Sequence, residues 1–313
     1  MSLPLPPQVV VVGAAARDVT DGDPRGWRLG GGVTYSALTV ARLGLRTAAL
    51  VGVDAIAEEA SELNLLRDAG ADVRTVRLER GPMFENIERP GGRLQICHSP
   101  SEALPVEALP AEWQSAPGWI LAPVAAELGD TWADVPAEDS TVAVGWQGLL
   151  RELVAGQPVR HVSPGESGIL RRGDVVGVSR DDLDRRILLA ELCALLHQGA
   201  TLALTQGANG GLVVEAATSG PARMRRYPAV PTDKVIDATG AGDVFLAALA
   251  AARIEPRLVG GRIGQGHDVL LAATAASLVL EGPGLLGVPD RDRVKRRMTA
   301  ARSSLGQRAG LED

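Results

Sequence analysis

The chain has 313 residues, 45% of them hydrophobic and 22% charged, the proportions of a globular protein rather than of a disordered chain or a fibre. Lysine and arginine total 32 against 38 aspartates and glutamates, a formal net charge of -6, which argues against nucleic acid as a partner. The two cysteines, Cys97 and Cys193, form no CxxC or Cys/His cluster, so no structural zinc is expected and a reducing, cytoplasmic setting is.

Met1 to Gln8 carries three prolines and no basic run, so no signal peptide is read there; nor does any apolar run of about 18 residues offer a membrane span. Val9 to Val12 reads as a buried strand. Ala15 to Arg28 is polar and turn-rich. After Gly30-Gly31-Gly32, Val33 to Leu43 has helical spacing and stops at Gly44. Thr47 to Val53 reads as a second buried strand, Glu58 to Ala69 as an amphipathic helix, and Val73 to Leu78 as a third strand. This alternation predicts a parallel sheet with crossover helices. Residues 83–98 break the rhythm and read as a hairpin around Pro90-Gly91-Gly92, a flap outside the main sheet. The Pro/Ser-rich stretch 99–117 is a connection.

Strands resume at Gly118 to Ala122, Thr141 to Val144, Val175 to Val178 and Thr201 to Thr205, with a helix predicted over Asp181 to Gln198. Gly210 to Val214 and Met224 to Val230 read as another hairpin. Two Ala-rich helices follow, Gly242 to Ala252 and His267 to Leu280, then a loop from Gly282 to Pro289. The basic cluster Arg291 to Arg302 alternates with Asp292 and apolar residues and reads as a solvated helix face.

The most informative segment is Asp237-Ala238-Thr239-Gly240-Ala241-Gly242-Asp243, which leads into an apolar helix. Gly240 and Gly242 permit close backbone approach. Free N–H groups of Gly240, Ala241 and Gly242 at a helix N-terminus would make an anion pocket. A carboxylate beside a phosphate cradle has a role if it takes a proton, and the proton at hand is that of an attacking hydroxyl. The same pattern is also that of a plain Asp at a helix start after a glycine turn.

This segment resembles the C-terminal signature of the ribokinase-like, or phosphofructokinase-B type, kinases. Gly30-Gly31, Ala37 and Ala41-Arg42-Leu43-Gly44 resemble the N-terminal signature, about 200 residues earlier. The resemblance implies a single α/β domain over residues 1–313: a three-layer α/β/α fold with a mainly parallel sheet and a small β lid formed mainly by 83–98. It makes Asp243 the general base and Gly240, Ala241 and Gly242 the anion hole. Asp18, Gly30 and Gly31 match polyol-binding positions. Ser179, Thr205, Gly207, Gly210 and Gly284 fall on the nucleotide side. Asp237 and Thr239 match positions that help hold a monovalent cation, K+, in some members; an ordinary turn is the equal alternative.

Two departures stand out. Where many members carry N-x-x-E to organise magnesium, this chain has Ser179-Arg180-Asp181-Asp182, so Asp182 would act through water at shorter reach. Tyr35 stands where ribokinases place Asn, which argues against plain ribose. The stretch around Tyr35 and the run Gln147-Gly148-Leu149-Leu150-Arg151 look more like the myo-inositol kinase branch. Gln147 and Arg151 are then substrate-side residues, or else a polar helix start with an exposed Arg. Asp18, Tyr35, Ser36 and Gln147 suit a substrate that offers only hydroxyls. The resemblance implies ATP with Mg2+, a small sugar or cyclic polyol as acceptor, and in some members a homodimer through the lid. The rivals are a ribokinase or fructokinase, a nucleoside kinase for which Phe84 and Trp146 would supply the aromatic face, and a non-catalytic nucleotide-binding regulator.

Overall fold

Val9–Ala14 (β1) is the strand around which the rest is arranged. Its β-branched residues alternate in direction, so Val9 and Val11 enter one apolar cluster while Val10 and Val12 enter the other. Burial on both faces is what a central parallel strand requires. The computed structural model of the protein describes residues 5–89, 92–215, 222–261 and 266–309.

The strands that follow are Ala16–Val19 (β2), Trp27–Gly30 (β3), Thr47–Val53 (β4), Asp72–Arg77 (β5), Met83–Arg89 (β6), Gly92–Ser99 (β7), Gly118–Leu121 (β8) and Thr141–Gly145 (β9). Three two-residue strands come next, Arg151–Glu152 (β10), Gln157–Pro158 (β11) and Arg160–His161 (β12). Val175–Ser179 (β13), Thr201–Thr205 (β14), Gly211–Glu215 (β15) and Arg223–Tyr227 (β16) complete them. The helices are Gly32–Arg42 (α1), Glu62–Asp68 (α2), Gly168–Arg172 (α3), Leu189–Ala194 (α4), Ala241–Ile254 (α5), His267–Val279 (α6) and Arg291–Ala309 (α7).

The main sheet has nine strands in the order β16-β15-β14-β13-β9-β8-β1-β4-β5. All neighbours are parallel except the β14-β15-β16 meander. One face is covered by α1, α2, α5, α6 and α7. The other is covered by α3, α4 and short 3-10 turns, and holds Trp113, Trp119, Trp132 and Trp146. The expected three-layer α/β/α arrangement is therefore present. Gly177 on β13 leaves room for Leu246, which seats α5 directly on the sheet. No described helix is long and apolar enough to cross a membrane.

A second sheet, in the order β11-β7-β6-β2-β3, lies apart from the first. It contains the expected 83–98 hairpin, of whose turn Pro90 and Gly91 lie outside the described residues. It is also larger than expected, because the polar, turn-rich stretch Ala15 to Arg28 contributes to it. That stretch holds β2 and β3, which pair antiparallel with each other, while β2 pairs parallel with β6. These strands are short and carry polar residues on one side, so their alternation was masked by the turn between them.

Two predicted helices are shorter than their apolar spacing implied. Over 58–69, Ala60 is extended and divides a 3-10 turn, Ala57–Glu59, from α2. Over 181–198, Leu183 and Leu188 are extended, and Asp184 holds the Arg186 amide at 2.9 Å, so the chain forms a 3-10 turn, Arg180–Asp182, and then α4. The loop Gly282 to Pro289 contains a 3-10 turn over Gly284–Gly287.

Gly210 closes the β14–β15 turn at φ +74°, and a Cβ there would run into the Tyr227 carbonyl. Gly210→Ala should therefore destabilise the protein by about 2 kcal/mol or more, read as a lower denaturation midpoint in urea.

Candidate active site

The C-terminal ends of the parallel strands and the N-terminus of α5 share one edge of the sheet, the edge where α/β proteins place their ligands. The turn into α5 is shaped by its own side chains. Asp237 Oδ1 accepts the Thr239 amide at 2.9 Å and Oδ2 accepts the Gly284 amide at 3.0 Å. Gly240 is left-handed, at φ 78° and ψ 0°, and caps the helix. A Cβ at this position would overlap the Tyr35 ring, so glycine is required on two counts. The first helical bond is from the Val244 amide to the Gly240 carbonyl, at 2.9 Å. Among the described residues nothing accepts from the amides of Gly240, Ala241, Gly242 or Asp243. Gly242 faces open space. Unpaired donors at the positive end of a 14-residue helix constitute an anion site.

Asp243 lies in the first turn of α5, packed toward the start of α1: its Oδ1 is 2.9 Å from where a Cβ of Gly32 would stand. Burial pushes its carboxyl up to about 6; the Asp182 charge adds to the rise and Arg151 opposes it. Arg151, at the end of the Gln147–Leu150 turn, is itself buried, and burial lowers its affinity for the proton. Asp182, Asp243, Asp18 and Glu127 are all close enough to hold it charged. Its Nη2 is 4.0 Å from Asp182 Oδ1, its guanidinium lies 5.7 Å from the Phe84 ring of the lid, and its Nε has no acceptor. Gln147 Nε2 donates to both Asp182 oxygens at 3.3 and 3.4 Å. Gln147, Arg151, Asp182 and Asp243 thus form one cluster under the lid, and Arg151 is not an exposed helix-start arginine.

Asp18 stands on β2 opposite Arg28 of β3 and beside Phe84 of β6. Its carboxylate occupies the space a side chain on Gly30 would need. Gly31 has φ 96°, and Thr34 Oγ1 donates to the Gly30 and Gly31 carbonyls, which fixes the step from the lid into α1. Tyr35 differs from the expectation of a polyol contact. It is 2% exposed, with its ring beneath Gly240. Burial and the charges of Asp18, Asp237 and Asp243 push its phenol well above the usual range. It forms the floor of the anion turn. Ser36 is likewise buried in α1.

On the donor side, Ser179 and Thr205 are neighbours across β13 and β14. Ser179 Oγ accepts the Asp181 amide at 3.2 Å, and Thr205 Oγ1 points to the Val178 carbonyl at 3.5 Å. Gly207 is exposed at the turn. Gly210 is buried in the turn against Tyr227, and Gly284 donates its amide to Asp237 and lies against Arg28 and Tyr35.

Glu127 was not picked out in the sequence. It is 1% exposed and accepts amides from Ala14 at 2.8 Å, Val124 at 3.1 Å and Ala125 at 2.8 Å. It ties the ends of β1 and β8 together, and burial raises its carboxyl despite those donors. Ala126 beside it has φ 57°, the one non-glycine with positive φ among the described residues. The signal available was a single acid in the apolar run Pro123-Val124-Ala125-Ala126-Glu127-Leu128.

Residues 183–290, which include the anion turn and Asp243, match the pfkB family of carbohydrate kinases. The phosphotransferase class read from the sequence, with an alcohol as acceptor, agrees with that match. No curated protein matches the chain. Among solved structures, a pyrophosphate-dependent kinase in the ribokinase family, complexed with a pyrophosphate analog and myo-inositol, superposes at a TM-score of 0.69 and 19% identity, over 92% of this chain and 99% of that one. Arabidopsis thaliana ribokinase complexed with ribose and ATP gives 0.64 and 19%, over 94% and 99%. Methanocaldococcus jannaschii nucleoside kinase gives 0.64 and 16%, over 94% and 98%. At these identities the likeness establishes the ribokinase-like fold.

The Asp243 carboxyl has a testable signature in this protein. A carboxyl whose folded value lies near 6, above its ordinary 3.8, favours the folded state fully below 3.8, and that contribution is lost as pH rises through 6. Asp243→Asn should therefore be the more thermostable protein above pH 6, with the difference vanishing below about pH 4; melting curves across that range check it.

Proposed function

We propose that the protein transfers the γ-phosphoryl group of ATP to a hydroxyl of a small sugar or cyclic polyol, with myo-inositol the favoured acceptor. The observation that carries this reading is the row of unpaired amides at the start of α5 with Asp243 in the same turn. In the proposed reaction the acceptor lies between the lid and α1, held by Asp18, by the Gly30-Gly31 backbone, and by Gln147 and Arg151. Asp243 accepts the proton of the attacking hydroxyl. The amides of Gly240, Ala241 and Gly242 stabilise the charge on the migrating phosphoryl group. Lid closure excludes water from it.

Magnesium would neutralise the donor's phosphate charge. Asp182 is committed to Gln147 and Arg151, and among the described residues no group of three or more His, Cys, Asp and Glu is gathered for a metal. The donor's own phosphates are therefore proposed to hold the ion, with Asp182 setting the charge of Arg151. A pyrophosphate donor is the second reading. The kinase complexed with a pyrophosphate analog favours it, as does an anion turn that reads phosphate without needing a base.

A nucleoside acceptor is disfavoured, because Phe84 and Trp146 are each 1% exposed and offer no free ring face. The non-catalytic regulator is disfavoured by the amides left open beside a base with a raised carboxyl value. The two cysteines are free, one buried and one partly so, which supports the cytoplasmic reading.

A panel of myo-inositol, ribose, fructose and adenosine with ATP or pyrophosphate should give turnover with myo-inositol. Transfer to adenosine alone would reject the polyol reading. Asp243→Asn should cut turnover by about 10²–10⁴-fold while donor binding by calorimetry persists; near-normal turnover would remove Asp243 as the base. The rate with wild-type protein should also fall on the acid side as pH drops through about 6, since only the ionised carboxylate takes the proton.

A further inference from the structure

One side chain of the lid pairs with the anion turn. Arg28, on β3, places Nη1 3.5 Å from Asp237 Oδ2, and its Nη2 donates to the Gly22 carbonyl at 3.2 Å. The two side chains are 29% and 22% exposed. Asp237 also accepts the amides of Thr239 and Gly284, one on each oxygen. Each of its oxygens thus already accepts one amide, and its charge already has a counter-ion. The stem of Arg28 runs past Gly284, close to where a Cβ would stand, so the guanidinium is held from two sides.

In some members of the family that the chain resembles, the positions of Asp237 and Thr239 help hold a monovalent cation. The residues present do not fit one. A potassium ion bound to Asp237 would share its carboxylate with the Arg28 guanidinium, and two like charges a few ångströms apart repel. A loose ion also pays for its own dehydration and immobilisation, whereas the arginine is delivered by the chain.

We infer that Arg28 is the built-in substitute for that ion. It is a positioning residue: a fixed positive charge, brought by the lid strand, that neutralises Asp237 and so sets the turn whose amides face the donor. This makes the protein indifferent to potassium. It also couples the turn to the lid, because the charge arrives only with β3 in place. The rate part of this inference rests on the proposed kinase activity; the charge substitution itself does not.

The test uses the full chain in chloride salts of K+, Na+ and tetramethylammonium at equal ionic strength. Melting temperature and, with the acceptor found above, kcat and KM are measured in each. The wild type is expected to give the same values in all three. Arg28→Ala should lose turnover by about tenfold, the cost of one charged contact. K+ should restore both its turnover and its melting temperature, and tetramethylammonium neither. Arg28→Lys should keep the charge and need no K+. A wild type activated or stabilised by K+ over tetramethylammonium would overturn the inference, and so would an Arg28→Ala protein as indifferent to K+ as the wild type. If Arg28→Ala does not fold, Arg28→Gln carries the same comparison. If no phosphoryl transfer is found, the melting temperatures alone decide, which separates failure of this inference from failure of the kinase reading.

Discussion

The site depends on keeping the amides at the start of α5 out of ordinary hydrogen bonding. A helix always leaves its first N–H groups without intrahelical partners, and most helices cover them with a side-chain cap or with water. Here no side chain caps α5. Gly240 turns the backbone left-handed, and Asp237 spends its oxygens on Thr239 and Gly284 instead of on the helix. Tyr35 blocks any side chain from entering beneath the turn. Three local choices thus leave a rigid row of donors aimed outward, and α5 is anchored by nine consecutive buried residues from Val244 to Ala252 so that the row stays in place.

Around these donors the protein gathers an excess of acid. Asp18, Asp182, Asp243 and Glu127 all act on Arg151, and Asp237 is met by Arg28. Buried carboxylates at this density would take up protons unless cations or amides compensate them. The compensation is unequal, and the inequality divides the roles. Glu127 receives three backbone donors and is locked into the framework. Asp182 is paired with Gln147 and Arg151. Asp243 has no hydrogen-bond donor of its own among the described residues, and it is the acid left with a value near neutrality. Both compensating arginines touch the lid, Arg28 as part of it and Arg151 against Phe84. Lid position and active-site charge are consequently one variable.

How much of this was legible in the sequence follows from range. Asp237 to Asp243 is a local pattern: a glycine turn opening a helix can be read from seven adjacent residues, and the strand–helix alternation can be read over a few dozen. The pairings that complete the site are not local. Arg28 and Asp237 are far apart in the chain, and only the lid topology brings them together. Tyr35 looked like a substrate contact because its hydroxyl is the visible chemistry; its ring is what the fold uses. The two strands inside the turn-rich stretch 15–28 are illegible for a related reason. Strands of four residues in a small second sheet are held by partners from elsewhere, and their own alternation is too short to register. Gly210 and Gly284 are placed on the donor side by resemblance alone, whereas their near neighbours, Tyr227 in one case and Asp237 in the other, become visible only in the fold.

The aromatic residues define what kind of recognition remains open. The sequence holds five tryptophans, two tyrosines and two phenylalanines, and each is committed elsewhere. Trp113, Trp119, Trp132 and Trp146 fill one face of the main sheet. Trp27 lies between the guanidinium groups of Arg17 and Arg25. Tyr227 stacks on Phe245 at 5.3 Å, Phe84 lies against Arg151, and Tyr35 supports the anion turn. No ring face is left to stack on a flat substrate. The polar partners left around the site are carboxylates, amides and guanidinium groups. In the proposed reaction the same shortage leaves the donor's phosphates as the part that the glycine turn can grip.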